Sequence, residues 1–348
     1  MTATSFFRSR AARARPLGRL LALRVLGTVA VLLVLSIVIF SLMYLAPGDL
    51  VKNLLGNRPV TPEAVAAVRA QYHLDDPLVV QYLRWLGGFV TGDLGTSIRL
   101  QVPVADAIAA RLGVTLALCG LAFAVALAVA VPMGVRSAVR PGGAVDRIAN
   151  VFAIVGLSAP TFAVGLLLLY AFAYYLPILP VYGAGDGGLD TLRHLVLPAV
   201  TLALGLGAIV LKLTRTAMLR ELASDYVTAA RARGLRDRTV DRIALRNAAI
   251  PIVTGASLVL TFLVGGTVLA ETTYALPGLG TLLQDSVLFK DIAVVQSLIL
   301  LIAIVIAVIA LLADLAYLLL DPRVRDAGAA AIAGAGPTES TETVGSVA

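Results

Sequence analysis

Across 348 residues the chain carries one cysteine, two histidines, three lysines and one tryptophan. A single thiol, Cys119, excludes an intrachain disulfide. With His73 and His194 as the only imidazoles, no Cys/His cluster for a metal site can be assembled. Charge is scarce as well: Asp, Glu, Lys and Arg make up 14% of the residues, against roughly a quarter in a soluble domain. None of Lys52, Lys212 and Lys290 follows a Gly-x-x-x-x-Gly loop. A phosphate cradle of that type is therefore missing, and with it that route to nucleotide hydrolysis. The net charge of +7 comes with no nucleic-acid-binding motif, and arginines in the loops of a membrane protein account for it.

What the chain has in excess is apolar residues, 59% with a mean hydropathy of +0.92, gathered into long runs. The runs lie at 26–46 and at about 112–135, 148–179, 195–219, 250–275 and 292–320. A helix of about 20 apolar residues crosses the hydrocarbon core, so the expectation is an all-α integral membrane protein with six transmembrane helices. The first run is too long for a signal-peptide core and has no small-residue cleavage site after it, which makes it a retained span. Pro160, after Gly156-Leu157-Ser158-Ala159, predicts a kink in the third span, because proline removes a helix hydrogen bond and crowds the preceding turn.

Arginine bias sets the expected orientation. Placing the N-terminus inside puts twenty of the 28 basic residues in inner segments, nine of them between Lys212 and Arg246. The chain then divides into a cytoplasmic basic segment (1–25), the first span (26–46), an extracytoplasmic segment (47–106), a core of five spans (107–320) and a cytoplasmic tail (321–348). The core includes an inner loop at 221–246. The tail, rich in Ala, Gly, Thr and Glu without apolar period, is expected to be disordered. Thr61-Pro62-Glu63 and Asp76-Pro77 predict two short outer helices with proline at the first helical position. The second lines up Leu78, Tyr82, Trp85, Leu86 and Phe89, a stripe suited to packing on the protein's own spans or to receiving a partner.

The loop after the fourth span is the most informative stretch. Ser224 or Asp225 can cap a short helix running to about Arg233, and Gly234 suits its end. Tyr226, Ala229, Ala230 and Arg233 share a face of it. An aromatic and two small side chains ringed by arginines suit insertion into a groove on another protein. A basic amphipathic helix also suits anionic lipid headgroups.

The stretch Asp225-Tyr226-Val227-Thr228-Ala229-Ala230-Arg231-Ala232-Arg233-Gly234-Leu235, with Leu245-Arg246-Asn247-Ala248 and Pro251, resembles the coupling ("EAA") loop of binding-protein-dependent ABC permeases. The nearest resemblance is to the B-type permease of the dipeptide/oligopeptide/nickel importers. Other matching stretches run in one collinear order over about residues 20–325: Leu45-Ala46-Pro47-Gly48-Asp49, Leu74-Asp75-Asp76-Pro77, Gly92-Asp93-Leu94-Gly95-Thr96-Ser97, Gly156 to Phe162, Glu271-Thr272, Pro277-Gly278-Leu279-Gly280, Asp314 to Tyr317, and Leu320-Asp321-Pro322-Arg323. Thr228 stands where the motif has glutamate, so the acid's role is not carried over.

The resemblance implies a type I ABC importer permease (MetI-like) fold and a heterodimer with a second, homologous permease subunit. It also implies two ABC ATPase subunits that use ATP and Mg, an extracytoplasmic solute-binding protein, and no cofactor on this chain. It assigns docking to Asp225, Tyr226, Ala229, Ala230, Arg233, Gly234 and Leu235. Spans two to five would line the path, offering Thr115, Ser158, Thr161, Ser257 and Thr261. Peptide is the first substrate class, with nickel chelate, haem or oligosaccharide as alternatives. Two other classes compete. An intramembrane hydrolase would pair Ser158 with His194, and an ion-coupled carrier would use Glu271 and Asp314 as mid-membrane acids.

Overall fold

The computed structural model describes residues 3–45, 51, 55, 59–71 and 74–320, which are almost wholly helical. His73, Lys52, Pro47-Gly48-Asp49 and the 321–348 tail lie outside the described residues. The long helices are α1 (Ala3–Leu45), whose membrane-length part is Ala22–Leu45, α4 (Val104–Val139), α7 (Gly188–Leu222), α10 (Ala249–Thr273) and α12 (Ile292–Leu320). The third apolar run forms α5 (Ala144–Ser158) and α6 (Thr161–Leu169). A π-helical turn, Tyr170–Tyr175, extends α6, and the pair bends by 110°.

That bend exceeds the expected kink. The residue before a proline is pushed out of the helical region, and here both Ala159 (φ −80°, ψ 130°) and Pro160 (φ −60°, ψ 130°) are extended. Two extended residues in succession end a helix instead of tilting it.

Glycines record how the helices lie. On α4, a Cβ at Gly134 would stand 2.8 Å from the Thr214 Cβ, and Gly207 faces Ala126. Residue numbers rise together along that contact, so α4 and α7 run parallel. Two parallel spans require the chain between them to cross back, so the bent α5–α6 pair makes one crossing and the count of six holds. α5 runs antiparallel to α7, with Asp146 beside Arg215 and Gly156 against the Leu204 carbonyl. α10 is also antiparallel to α7, Gly255 meeting Leu213 and Gly266 meeting Leu202. Small residues let membrane helices approach this closely. α12 lies antiparallel on α1 through the Arg24–Asp314 ion pair and Gln296, whose amide donates to the Ile39 and Phe40 carbonyls.

One end of the bundle therefore carries the 140–143 turn and the 223–248 loop. The opposite end carries the 59–103 and 274–291 segments. At that second end, α2 (Pro62–Gln71) starts as expected, with the Ala64 amide donating to the Thr61 hydroxyl. α3 (Leu78–Thr91) starts one residue later than expected: Pro77 is its N-cap, and Asp76 pairs with Arg84 at 2.7 Å. Tyr82 and Trp85 of the α3 stripe pack on Phe40, with ring centroids 5.6 and 5.8 Å away, while Leu78 stays exposed.

Candidate functional site

The loop folds as α8 (Asp225–Ala232), a turn, and α9 (Asp237–Asn247), which leads into α10. Gly234 has φ +78°. Its amide donates to the Arg231 carbonyl at 2.9 Å, and the Leu235 amide donates to the Ala230 carbonyl at 3.2 Å. This paired pattern is the Schellman helix stop, which wants glycine at the left-handed position. Ser224 occupies the N-cap position without capping, since its hydroxyl turns back to the Glu221 carbonyl at 2.5 Å.

The loop has two faces. Val227, Val240, Ala244 and Ala248 are buried, and the last two pack with Ala138 of α4 and Ala217 and Met218 of α7. Asp225, Tyr226, Ala229, Arg233, Gly234 and Leu235 are exposed, and Ala230 is half-buried. The Tyr226 hydroxyl donates to Glu221 at 2.8 Å, which steadies the ring on the surface. Partial desolvation of the ring, with the hydrogen bond to Glu221, pushes its phenol above the ordinary tyrosine value. Val227, the side chain that anchors α8, was not legible as such, because in sequence it is one more residue between the exposed ones.

Directly above the loop sits a buried cluster that sequence reasoning missed. Asp146, third residue of α5, receives Arg215 Nε at 2.8 Å and Nη2 at 3.1 Å. It also accepts from the Ser137 hydroxyl, the Gly142 amide at 2.8 Å and the Asn150 side chain at 3.3 Å. Acids are favoured in the first turn of a helix, and a two-pronged arginine contact is the strong form of ion pair. Asp146 joins the ends of α4, α5 and α7 in one knot.

The five path residues do not converge. Thr161, half-buried at the start of α6, lines an apolar cavity of about 470 Å³ between α5, α6 and α7. Ser158 is exposed at the end of α5. Ser257 and Thr261 lie one turn apart on α10, and their hydroxyls bond to the Val253 and Ser257 carbonyls. Thr115 belongs to the opposite end. It donates to Glu271 at 2.6 Å and accepts from the Leu279 amide at 2.8 Å.

The rival chemistries lose their geometry. Gly156, two residues before Ser158, packs at Leu204, ten residues from His194 on α7, about 15 Å at 1.5 Å per residue. The His194 ring bonds within its own helix, to the Asp190 carbonyl at 2.9 Å. Glu271 is buried, accepting from Thr115 and from the Thr281 amide at 3.0 Å at the start of α11 (Leu279–Leu288), and Asp314 is held by Arg24. Both acids are structural partners, and among the described residues neither continues into a relay.

Comparison with known proteins identifies the family. The family described as "Binding-protein-dependent transport system inner membrane component" matches residues 130–326, and its N-terminal membrane-component companion matches 17–119. A probable peptide ABC transporter permease protein of Sinorhizobium fredii is 37% identical, covering 87% of this chain and 97% of its own. The glutathione transport system permease protein GsiC of Pectobacterium atrosepticum is 38% identical with the same coverage. The dipeptide transport system permease protein DppB of Escherichia coli K12 is 35% identical, covering 84% and 94%. Among solved structures, an inward-facing MetNI methionine ABC transporter aligns with 64% of this chain and 96% of its own, at 20% identity and TM-score 0.49. With two family models spanning both halves and relatives matched nearly end to end, the chain belongs to the inner-membrane components of binding-protein-dependent transport systems and is a multi-pass membrane permease.

Proposed function

We propose that this permease is one membrane subunit of an ATP-driven peptide importer, working beside a second, homologous permease subunit. Two ATPase subunits that use ATP and Mg stand on the side of the 223–248 loop, and a solute-binding protein delivers peptide at the opposite end. The arginine-rich loop end is cytoplasmic, as are both termini. The names of the relatives support peptide as the substrate class: peptide, dipeptide and glutathione permeases all match at 35–38% identity.

One observation carries the docking assignment: α8 is a short helix with Val227 buried and the other side, with Tyr226 and Ala229, left exposed beside a fixed glycine turn. Asp225, Arg233 and Leu235 edge that face, and Ala230 sits at its base. Closure of the ATPase pair on nucleotide binding drags α8 and rocks the spans from inward- to outward-open. Solute then passes along a path to which Ser158, Thr161, Ser257 and Thr261 contribute, with Thr115 near its outer mouth.

Ala230→Glu tests this. The variant is expected to insert and to accumulate at normal level, yet to lose uptake and the capture of ATPase subunits during purification. Normal uptake by Ala230→Glu would sink the docking assignment.

A further inference from the structure

α5 is held in an unusual way for a membrane helix. At one end the Asp146 knot ties it to α4 and α7. These are the helix ends on which the buried face of the loop rests, through Ala244 and Ala248 against Ala138, Ala217 and Met218. At its other end the helix stops at two extended residues and the chain turns by 110°. Between those points α5 touches the bundle through Ala149, Phe152, Ala153 and Gly156. Ile148, Val151, Ile154 and Val155 are exposed on the other side. The apolar cavity of about 470 Å³ lies alongside, reaching from Arg147 to Val164 across the break.

From this arrangement we infer that Asp146 and Arg215 are positioning residues for energy coupling. They make α5 a lever that follows the loop and swings about Ala159–Pro160 into the space of the cavity. The inference rests on the docking role of α8. The physical reason is the cost of separating the pair. Asp146 is 5% exposed, and a buried charge stripped of its partner is strongly unfavourable. When α8 pulls on α7, α5 must therefore follow Arg215 instead of letting it go. The helix break absorbs the rotation at Ala159, whose φ and ψ can change while its own amide keeps the Val155 carbonyl and the Pro160 carbonyl keeps the Val164 amide. The groove beside it leaves the Ile148, Val151 and Val155 side of α5 unpacked by this chain's own helices.

The test uses the complete transporter, with both permeases, ATPases and binding protein, reconstituted in lipid vesicles. Asp146→Asn keeps the shape and removes the charge that holds the guanidinium fork. Expected are normal assembly and basal ATP hydrolysis within about twofold, with uptake per ATP lowered about tenfold or more, since the neutral partner no longer obliges Arg215 to carry α5. Arg215→Lys keeps the charge but lacks the planar fork, so an intermediate loss of about three- to fivefold is expected. If Asp146→Asn does not assemble, Arg215→Lys decides alone. Wild-type uptake per ATP in the variant that assembles overturns the inference, and so does an equal fall of hydrolysis and uptake, which would mark the pair as structural glue. Failure of the docking reading looks different: there, Ala230→Glu hydrolyses and transports as wild type whatever Asp146 does.

Discussion

The two ends of the bundle are built from different materials. At the end carrying 59–103 and 274–291, loops are fastened to spans by buried polar side chains. Glu271 takes Thr115 and the Thr281 amide, Asp291 takes Ser97 at 2.5 Å and the Arg99 amide at 3.2 Å, and Gln81, which donates to the Leu74 and Asp76 carbonyls of its own segment, accepts from the Tyr44 hydroxyl of α1. At the loop end, alanines rest on alanines, one ion-paired knot joins three helices, and a face of α8 is left open. Directional bonds in a low-dielectric setting fix position, because breaking them leaves unsatisfied groups. Alanine contacts define a resting place at small cost in rearrangement. One end is built to hold its position, and the other can rearrange at smaller cost.

Glu271→Ala should give the largest effect on stability, about 2–4 kcal/mol, by leaving the Thr281 amide and its neighbours without an acceptor in a buried site. It would be read as a lowered melting midpoint in detergent. The comparison breaks if this variant melts with wild type while a loop variant such as Tyr226→Ala melts low. Asp291→Ala follows at about 1–3 kcal/mol, since Ser97 and the Arg99 amide lose their shared acceptor. Val227→Ala sharpens the other side. Removing the buried anchor of α8 should cost about 1–2 kcal/mol locally, seen as faster hydrogen exchange in 225–235 with an unchanged global melt. Gly234→Ala places a Cβ at φ +78°, which costs about 1 kcal/mol locally in the loop; uptake should fall severalfold with the global melt unchanged. Smallest are Ser257→Ala and Thr261→Ala. Their hydroxyls already bond to their own helix, so stability should shift by less than about 0.5 kcal/mol, and uptake kinetics would report any role in the path.

What was legible in the sequence was what is local. The Gly234 stop follows from a glycine after a helical stretch, and the spans follow from run length. Pro160 announced a disturbance but not its size, because the bend depends on Ala159 also leaving the helical region. The placing of Pro77 at an N-cap instead of inside α3 is a one-residue error of the same local kind. The Asp146 knot was illegible for another reason: Arg215 is 69 residues away, and in a list of charges it served only to orient the loop. Glu271 and Thr115 stand 156 residues apart, so the glycines at 278 and 280 could be matched as a motif without showing that they leave room for a carboxylate. Had either glycine carried a Cβ, it would lie within 2.8 Å of that group.

The break at Ala159–Pro160 has a consequence for how the protein enters the bilayer. Neither α5, with 15 residues, nor the stretch from Thr161 to Tyr175 is long enough alone. Fifteen residues of helix rise only about 22 Å, short of a hydrocarbon layer of about 30 Å. Two half-length segments at an angle hold a crossing through packing, with Gly156 seated against the Leu204 carbonyl of α7. Membrane integration of this segment is therefore expected to be complete only after α7 is made, and a released chain truncated after residue 187 should yield the segment to extraction more easily than the full chain does.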